Sequence, residues 1–177
     1  MYLRRSSLVV ITAFAIACAS ARGGSDSAAT ATAAIRSATG AELGVLRLES
    51  AAGGVLVTGQ LTGLAPGAHG IHIHTVGRCD APAFTSAGPH FNPRNTKHGL
   101  VNPEGPHAGD MPAIAADANG RATVQHTTAL IELGSGANGL FDADGSAIVV
   151  HASSDDQRTD PSGTSGARIA CGVVERS

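Results

Sequence analysis

The 177-residue chain lacks several features that would point to common classes of protein. It has no tryptophan, only 3% of its residues are aromatic, and only 15% are charged. The net charge is −2 and no basic run is present, so nucleic acid is not an expected partner. No apolar stretch reaches the roughly 20 residues that a membrane-spanning helix needs. No long amphipathic helical pattern is present either.

Glycine and proline are abundant, at 23 and 8 residues, and they separate short β-prone segments. Turn signals such as Asn119-Gly120 and Asp144-Gly145 stand between these segments. The length and the absence of an internal repeat indicate one domain. The pattern predicts an all-β sandwich or barrel with strands at 43–50, 55–61, 70–74, 121–127, 147–151 and 168–174.

The first 21 residues are typical of a secretory signal peptide, because Arg4 and Arg5 precede a short apolar run at 8–17. Two cleavage sites are open. Residues 15–18 (AIAC) resemble a lipoprotein cleavage box, the alternative that we favour, and cleavage there would make Cys18 the lipidated first residue. Residues 19–21 (ASA) would instead give ordinary cleavage before residue 22. Both alternatives predict an exported protein of the periplasm or cell envelope, and after lipoprotein cleavage its one membrane contact would be the lipid anchor.

The segment after the signal peptide, 22–38, is small, polar and without a core pattern. We therefore expect a flexible tether there and a folded domain over 39–177. The chain has three cysteines, an odd number that needs an explanation in an exported protein. Lipidation of Cys18 would leave Cys79 and Cys171 to pair in an oxidising compartment.

Two neighbouring segments are rich in residues that can bind metal ions. Segment 70–74 (GIHIH) alternates, so His72 and His74 share one face of a strand, and paired imidazoles suit copper or zinc. Residues 75–113 have no strand pattern, and a loop of that length in a compact domain is usually functional or disordered. The loop carries four residues that are typical zinc ligands: His90, His98, His107 and Asp110.

Taken together, several motifs resemble the copper–zinc superoxide dismutase family. The spacing H-x7-H-x8-H-x2-D of the loop matches that family, and the resemblance covers roughly 43–174. The matching segments are 67–74 (GAHGIHIH), 86–93 (SAGPHFNP), 97–99 (KHG), 107–110 (HAGD), 149–151 (VVH) and 166–172 (GARIACG).

The resemblance implies an eight-stranded antiparallel Greek-key barrel or sandwich, an immunoglobulin-like architecture of which this enzyme is itself a standard example. It implies an enzyme that converts superoxide to dioxygen and hydrogen peroxide with copper and zinc as cofactors. The implied copper ligands are His72, His74, His90 and His151. The implied zinc ligands are His90, His98, His107 and Asp110. His90 would bridge the two metals and supply a proton.

Other residues have implied roles around these ligands. Asp155 would link His72 to His98, and Arg168 would line the copper channel and attract the superoxide anion. A disulfide between Cys79 and Cys171 would attach the long loop to the last strand. The two remaining histidines, His69 and His126, are expected to be structural.

Two other functions stay open. One is a zinc-binding relative that has lost copper catalysis, which the presence of all four copper ligands and Arg168 disfavours. The other is a periplasmic copper-storage or delivery protein, which would call for Met and Cys ligands suited to copper(I). Met1 and Met111 are the only methionines, so this second function is also disfavoured. The oligomeric state, monomer or homodimer, is left open.

Overall fold

The computed structural model describes residues 29–177, and this part of the chain is built from nine β-strands. One 3₁₀ turn, Thr85–Ala87, is its single helical element. The strands are β1 (Thr30–Ser37), β2 (Glu42–Ala51), β3 (Gly54–Leu61), β4 (Gly67–His69), β5 (Ile71–His74), β6 (Ile114–Ala116), β7 (Ala122–Thr128), β8 (Ala147–His151) and β9 (Arg168–Arg176).

Seven strands form one curled antiparallel sheet in the order β5-β8-β9-β1-β2-β3-β7, and β4 pairs with β6 in a second, two-stranded sheet. The all-β prediction is confirmed. Nine strands are present where eight were expected, but Gly70 alone separates β4 from β5. Counting these two as one interrupted strand gives the expected number.

The core follows from the period-2 pattern of the strands. In β1, β2 and β3, alternate residues are buried on one face of the sheet, for example Leu46 and Leu48 of β2 and Val55 and Val57 of β3. Burying each such side chain contributes about 1.5–3 kcal/mol. Ile71 and Ile73 belong to this core as well. The two isoleucines therefore attach β5 to the core, and its two histidines lie on the opposite face of the strand.

The predicted tether over 22–38 is wrong for residues 30–37, which form strand β1 between β9 and β2 in the sheet. Ala31, Ala33 and Ile35 point into the core, with Thr32 and Ala34 between them. Small alanine side chains give a weak hydrophobic signal in the sequence. The strand is specified by ladders on both of its edges, so the domain begins near Thr30 and not at residue 39.

The six predicted strands are present, each within two residues of its expected ends. Strands β4 and β6 were missed because three residues are too few for an alternating pattern. The expectation that 75–113 contains no strand is confirmed, since the strand after His74 begins at Ile114. The signal peptide, Cys18 and residues 22–28 of the predicted tether lie outside the described residues. Across 29–177, no helix is long and apolar enough to cross a membrane.

Candidate metal centre

Three histidines of the site are carried by paired strands. His72 and His74 lie on β5, opposite Val149 and Ala147 of β8. His151 ends β8, at the point where the register with β9 shifts. All three side chains are buried. The strand ladder thus sets their positions through the backbone.

The long loop is joined to β5 through backbone contacts. Phe91 donates its N–H to the carbonyl oxygen of Ile73 at 2.8 Å, and Ile73 donates its own N–H to the carbonyl oxygen of Gly109 at 2.9 Å. A Cβ at Gly109 would overlap the carbonyl oxygen of Ile73, so this close approach requires glycine. These contacts place His90 and Asp110 beside the strand histidines.

Four buried imidazole nitrogens converge without a hydrogen-bond partner. They are Nδ1 of His72 and Nε2 of His74, His90 and His151. The four residues offer ligand atoms within 4.8 Å of one another. A buried polar atom with no partner is costly, and an unprotonated imidazole nitrogen is a good ligand for copper. These four nitrogens are the first group of donors, and their arrangement fits a metal ion held by four nitrogens.

A second group of donors lies on the other side of His90. Nδ1 of His90 and Nδ1 of His98 each lie 3.0 Å from Oδ1 of Asp110. Nδ1 of His107 lies 3.4 Å from that oxygen and 3.4 Å from Nδ1 of His90. Tetrahedral zinc with bonds of about 2.0 Å places its ligand atoms about 3.3 Å apart. Three nitrogens and one oxygen at these separations fit a zinc ion.

His72 also lies within 4.8 Å of His90, His98 and Asp110. However, both ring nitrogens of His72 already have another role. Nε2 donates to the carboxylate of Asp155 at 2.6 Å, and Nδ1 belongs to the first group. His107 is therefore the better fourth member of the second group, because its Nδ1 faces Asp110 and His90. His90 alone contributes one ring nitrogen to each group.

Four of the six histidines form a hydrogen bond through the outer ring nitrogen, which is the one that does not face a group of metal donors. Asp155 accepts hydrogen bonds from Nε2 of His72 at 2.6 Å and from Nε2 of His98 at 3.0 Å. Nδ1 of His74 donates to the carbonyl oxygen of Gly88 at 2.8 Å, and Nδ1 of His151 donates to that of Gly166 at 3.2 Å. Such contacts fix ring orientation and tautomer. The sequence offers no signal for the two glycine carbonyls, because any residue has one.

Burial keeps three histidines of the first group, His74, His90 and His151, neutral at pH 7. It lowers the pKa of His74 to about 2, that of His151 to about 3 and that of His90 to about 4. Neutral imidazole is the form that binds a metal. His74 and His151 are therefore ready to bind at neutral pH without losing a proton, whereas His90 must lose its remaining ring proton to bind through both of its nitrogens.

In the second group, the carboxylates of Asp110 and Asp155 oppose the effect of burial on the pKa of His98. Burial would lower the pKa of His98, but hydrogen bonds to Asp110 and Asp155 outweigh it and raise that pKa to about 9. Burial would likewise raise the pKa of Asp110, but hydrogen bonds from His107, His90 and His98 hold it far below its usual range. A metal that enters this group must displace a proton from His98.

Arg168 begins β9 and lies next to the first group. Its guanidinium donates to the carbonyl oxygen of Phe84 at 2.8 Å and to that of Gly88 at 2.7 Å. The oxygen of Gly88 also accepts from His74, so one carbonyl orients both side chains. The predicted disulfide between Cys79 and Cys171 is confirmed, and it attaches this part of the loop to β9.

The two remaining histidines lie outside both groups. His69 is buried, with its ring nitrogens 2.7 Å from the carbonyl oxygen of His151 and 2.8 Å from that of Ala65. It thereby joins β4 to the end of β8. His126 lies on β7, at the opposite edge of the sheet from β5, and burial lowers its pKa.

Comparison with known proteins agrees with this geometry. The sequence profile described as copper/zinc superoxide dismutase (SODC) matches residues 43–174. Superoxide dismutase [Cu-Zn] 1 of Aquifex aeolicus is 47% identical over 138 residues, which cover 77% of this chain and 82% of that protein. Superoxide dismutase [Cu-Zn] of Caulobacter vibrioides is 46% identical over 149 residues, which cover 82% and 85% of the two chains.

Solved structures agree as well. The crystal structure of a SOD-like protein from Bacillus subtilis superposes with a TM-score of 0.77 at 37% identity, covering 80% of this chain and 96% of that one. The profile spans most of the strands and both groups of donors, and relatives from two further bacteria share nearly half of the aligned residues. The chain belongs to the copper/zinc superoxide dismutase family.

Proposed function

We propose that this chain dismutates superoxide at copper held by His72, His74, His90 and His151, beside zinc held by His90, His98, His107 and Asp110. The observation that carries the proposal is the convergence of four unpartnered nitrogens, one of them from a histidine that also belongs to a tetrahedral set of donors. Two superoxide anions and two protons give one dioxygen and one hydrogen peroxide. Copper, when bound, supplies the alternating oxidation and reduction between its divalent and monovalent states.

The protein's own residues bind the anion and supply a proton. Arg168 carries a positive charge next to the first group, where it attracts superoxide and can donate hydrogen bonds to it. Nε2 of His90 has no other protein partner, so at the stage of the cycle when it does not bind copper it would hold a proton and pass it to the reduced oxygen. The second group closes a structural site and has no redox role.

Metal analysis with a superoxide-consumption assay tests the assignment. We expect one copper and one zinc per chain, together with consumption of superoxide. Protein that takes up zinc fully, but neither binds copper nor consumes superoxide, would overturn it. That outcome would instead favour a zinc-binding relative without copper catalysis.

We further infer that the enzyme is exported and lipid-anchored, and that it protects the cell envelope from superoxide arising outside the cell. The disulfide supports export, because such bonds persist in oxidising compartments. Strand β1 begins beside the end of β9, with Ala31 opposite Arg176, while Arg168 lies at the other end of β9. A nine-residue strand spans about 26 Å, so a tether that joins the domain at residue 30 would be attached about that far from Arg168.

Changing Cys18 tests the anchor. Cys18→Ser should move the protein from the membrane to the soluble fraction with unchanged activity. A soluble wild-type protein that begins at residue 22 would show that the ordinary cleavage site is used instead.

A further inference from the structure

His107 is the one non-bridging histidine of the two groups whose outer nitrogen has no hydrogen-bond partner in the described structure. His72 and His98 donate to Asp155, and His74 and His151 donate to carbonyl oxygens. The nearest acidic group to Nε2 of His107 is the carboxylate of Asp160, whose Oδ1 is 3.6 Å away. Asp160 lies in the same loop between β8 and β9 as Asp155.

The same oxygen of Asp160 already holds the second group at another point. Oδ1 accepts the backbone N–H of His98 at 2.8 Å. Its 3.6 Å separation from His107 is slightly long for a hydrogen bond, yet too short for a bridging water, which would need about 4.5–5 Å. One carboxylate oxygen thus faces the backbone of one member of the group and the ring of another.

The surroundings explain why His107 needs such a partner. His107 and His90 line a cleft of about 480 Å³, together with Lys97 and Asp160. His107 lies on the strand-free loop between β5 and β6, whereas His72 and His74 lie on β5. An outer carboxylate restricts ring rotation and raises the basicity of the opposite nitrogen.

We propose that Asp160 is a positioning residue of the second group, holding the backbone of His98 and orienting the ring of His107. The inference rests on the proposed zinc ligands. One loop then supplies two carboxylates: Asp155 holds the His72 and His98 rings, and Asp160 holds the His107 ring.

Lys97 offers a different explanation that the test must separate. Its Nζ lies 3.6 Å from Oδ2 of Asp160, and both side chains are substantially exposed, at 53% and 41%. An exposed pair of this kind contributes little, typically less than 1 kcal/mol. If Asp160 acted only through Lys97, removing the lysine charge would have the same effect as removing the carboxylate.

The experiment measures transfer of zinc from the fully loaded protein to a competing chelator, and the absorption spectrum with cobalt(II) in place of zinc. We expect Asp160→Ala to weaken zinc binding by about 10–100-fold, the usual range for an outer-shell partner. Asp160→Asn should lose less, because its amide oxygen still accepts the His98 N–H. The cobalt spectrum should change in both variants, and copper affinity should stay within about twofold.

The control variants should behave like the wild type. Lys97→Met tests the ion pair. Asp156→Asn tests an exposed neighbour whose Oδ1 accepts the N–H groups of Arg158 and Thr159 and touches no histidine. Wild-type zinc retention in Asp160→Asn and Asp160→Ala would overturn the inference, and so would an equal loss in Lys97→Met. If Asp160→Ala does not fold, Asp160→Asn decides alone.

His107→Ala separates this inference from the proposed function. It should lose zinc almost completely. Wild-type zinc affinity in His107→Ala would refute the ligand assignment itself. Zinc loss in His107→Ala with full retention in both Asp160 variants would refute the role of Asp160 alone.

Discussion

The two halves of the metal centre are built in different ways. In the first group, His72, His74 and His151 are carried by two paired strands, and their register is set by the same ladder that buries Ile71 and Ile73. The second group lies on the loop between β5 and β6, which contains no strand. Apart from His90, which belongs to both, its members depend on hydrogen bonds between side chains and the loop backbone.

Asp110 illustrates the second arrangement. Its Oδ2 accepts the backbone N–H of Gly99 at 2.8 Å and that of His107 at 3.0 Å. Its Oδ1 is then left to face the imidazole nitrogens of the group. The comparison teaches that a sheet can prepare a metal site by itself, whereas a loop must be organised by cross-links and by the ion. The following predictions test this difference.

The largest effects should come from removing one ligand of each kind. His74→Ala should lose copper and at least about 100-fold of the activity, more than a supporting residue costs, while zinc and loop order remain. His107→Ala should lose zinc and raise hydrogen exchange across 75–113, but not in the sheet. Metal analysis and exchange mass spectrometry measure both. His126→Ala, outside both groups, is the control, and equal loosening of the loop in the first two variants would contradict the comparison.

The disulfide should stabilise the position of the long loop more than it stabilises the sheet. Its two cysteines are 92 residues apart, and losing a link of this kind typically costs about 2–4 kcal/mol. Cys79→Ser should lower the free energy of unfolding by that amount, measured with denaturant under non-reducing conditions. Cys171→Ser should give the same loss. A change below about 0.5 kcal/mol in both would show that the loop is held without the bond.

Arg168 tests the junction between strand and loop, because it starts β9 but donates to loop carbonyls. Arg168→Ala should keep both metals and lose most of the rate. Charged channels raise on-rates by about 10–10³, a range for which this enzyme family is itself a standard example. Arg168→Lys should retain more activity and Arg168→Glu least, and the differences should shrink at high salt. Arg47→Ala, far along the sheet on β2, is the control; unchanged rates in all three Arg168 variants would remove Arg168 from the mechanism.

Asp155 joins the two halves, since it contacts His72 of the strand and His98 of the loop. Asp155→Asn replaces one acceptor oxygen by an NH₂ group that faces a ring N–H. Both metals should therefore bind about 10–100-fold more weakly, which competition with chelators measures. Asp156→Asn is the matched control. If zinc alone were weakened, the strand histidines would be shown to need no support from Asp155.

The last prediction concerns the stability of the metal-free protein at different pH. His74, His90 and His151 have folded-state pKa values far below 6.5, so the unfolded chain binds more protons and stability falls as pH drops below 6.5. His98 has its pKa raised to about 9, so its contribution is lost as pH rises from 6.5 towards 9. Denaturation midpoints near pH 5, pH 6.5 and pH 9 should peak in the middle. A flat profile would mean that metal-free protein does not hold these contacts.

Sequence patterns were sufficient for the sheet wherever alternation was strong. Six strands, the strand-free loop and the shared face of His72 and His74 follow from period 2 and from turn residues. Strand β1 did not follow, because alternating alanines barely differ from a polar tether in hydrophobicity. Its place between β9 and β2 depends on partners far along the chain.

The identity of the ligand-type residues, and their resemblance to a known family, could be read from the sequence because histidine and aspartate recur at a specific spacing. Which ring nitrogen faces which group could not be read, because it depends on the partner of the other nitrogen. The carbonyl of Gly88 that serves both His74 and Arg168 exists only once the loop is folded onto β5 and β9. The chain alone thus specifies which side chains are available, and folding specifies their orientation, because hydrogen bonds between residues distant in sequence form only in the native structure.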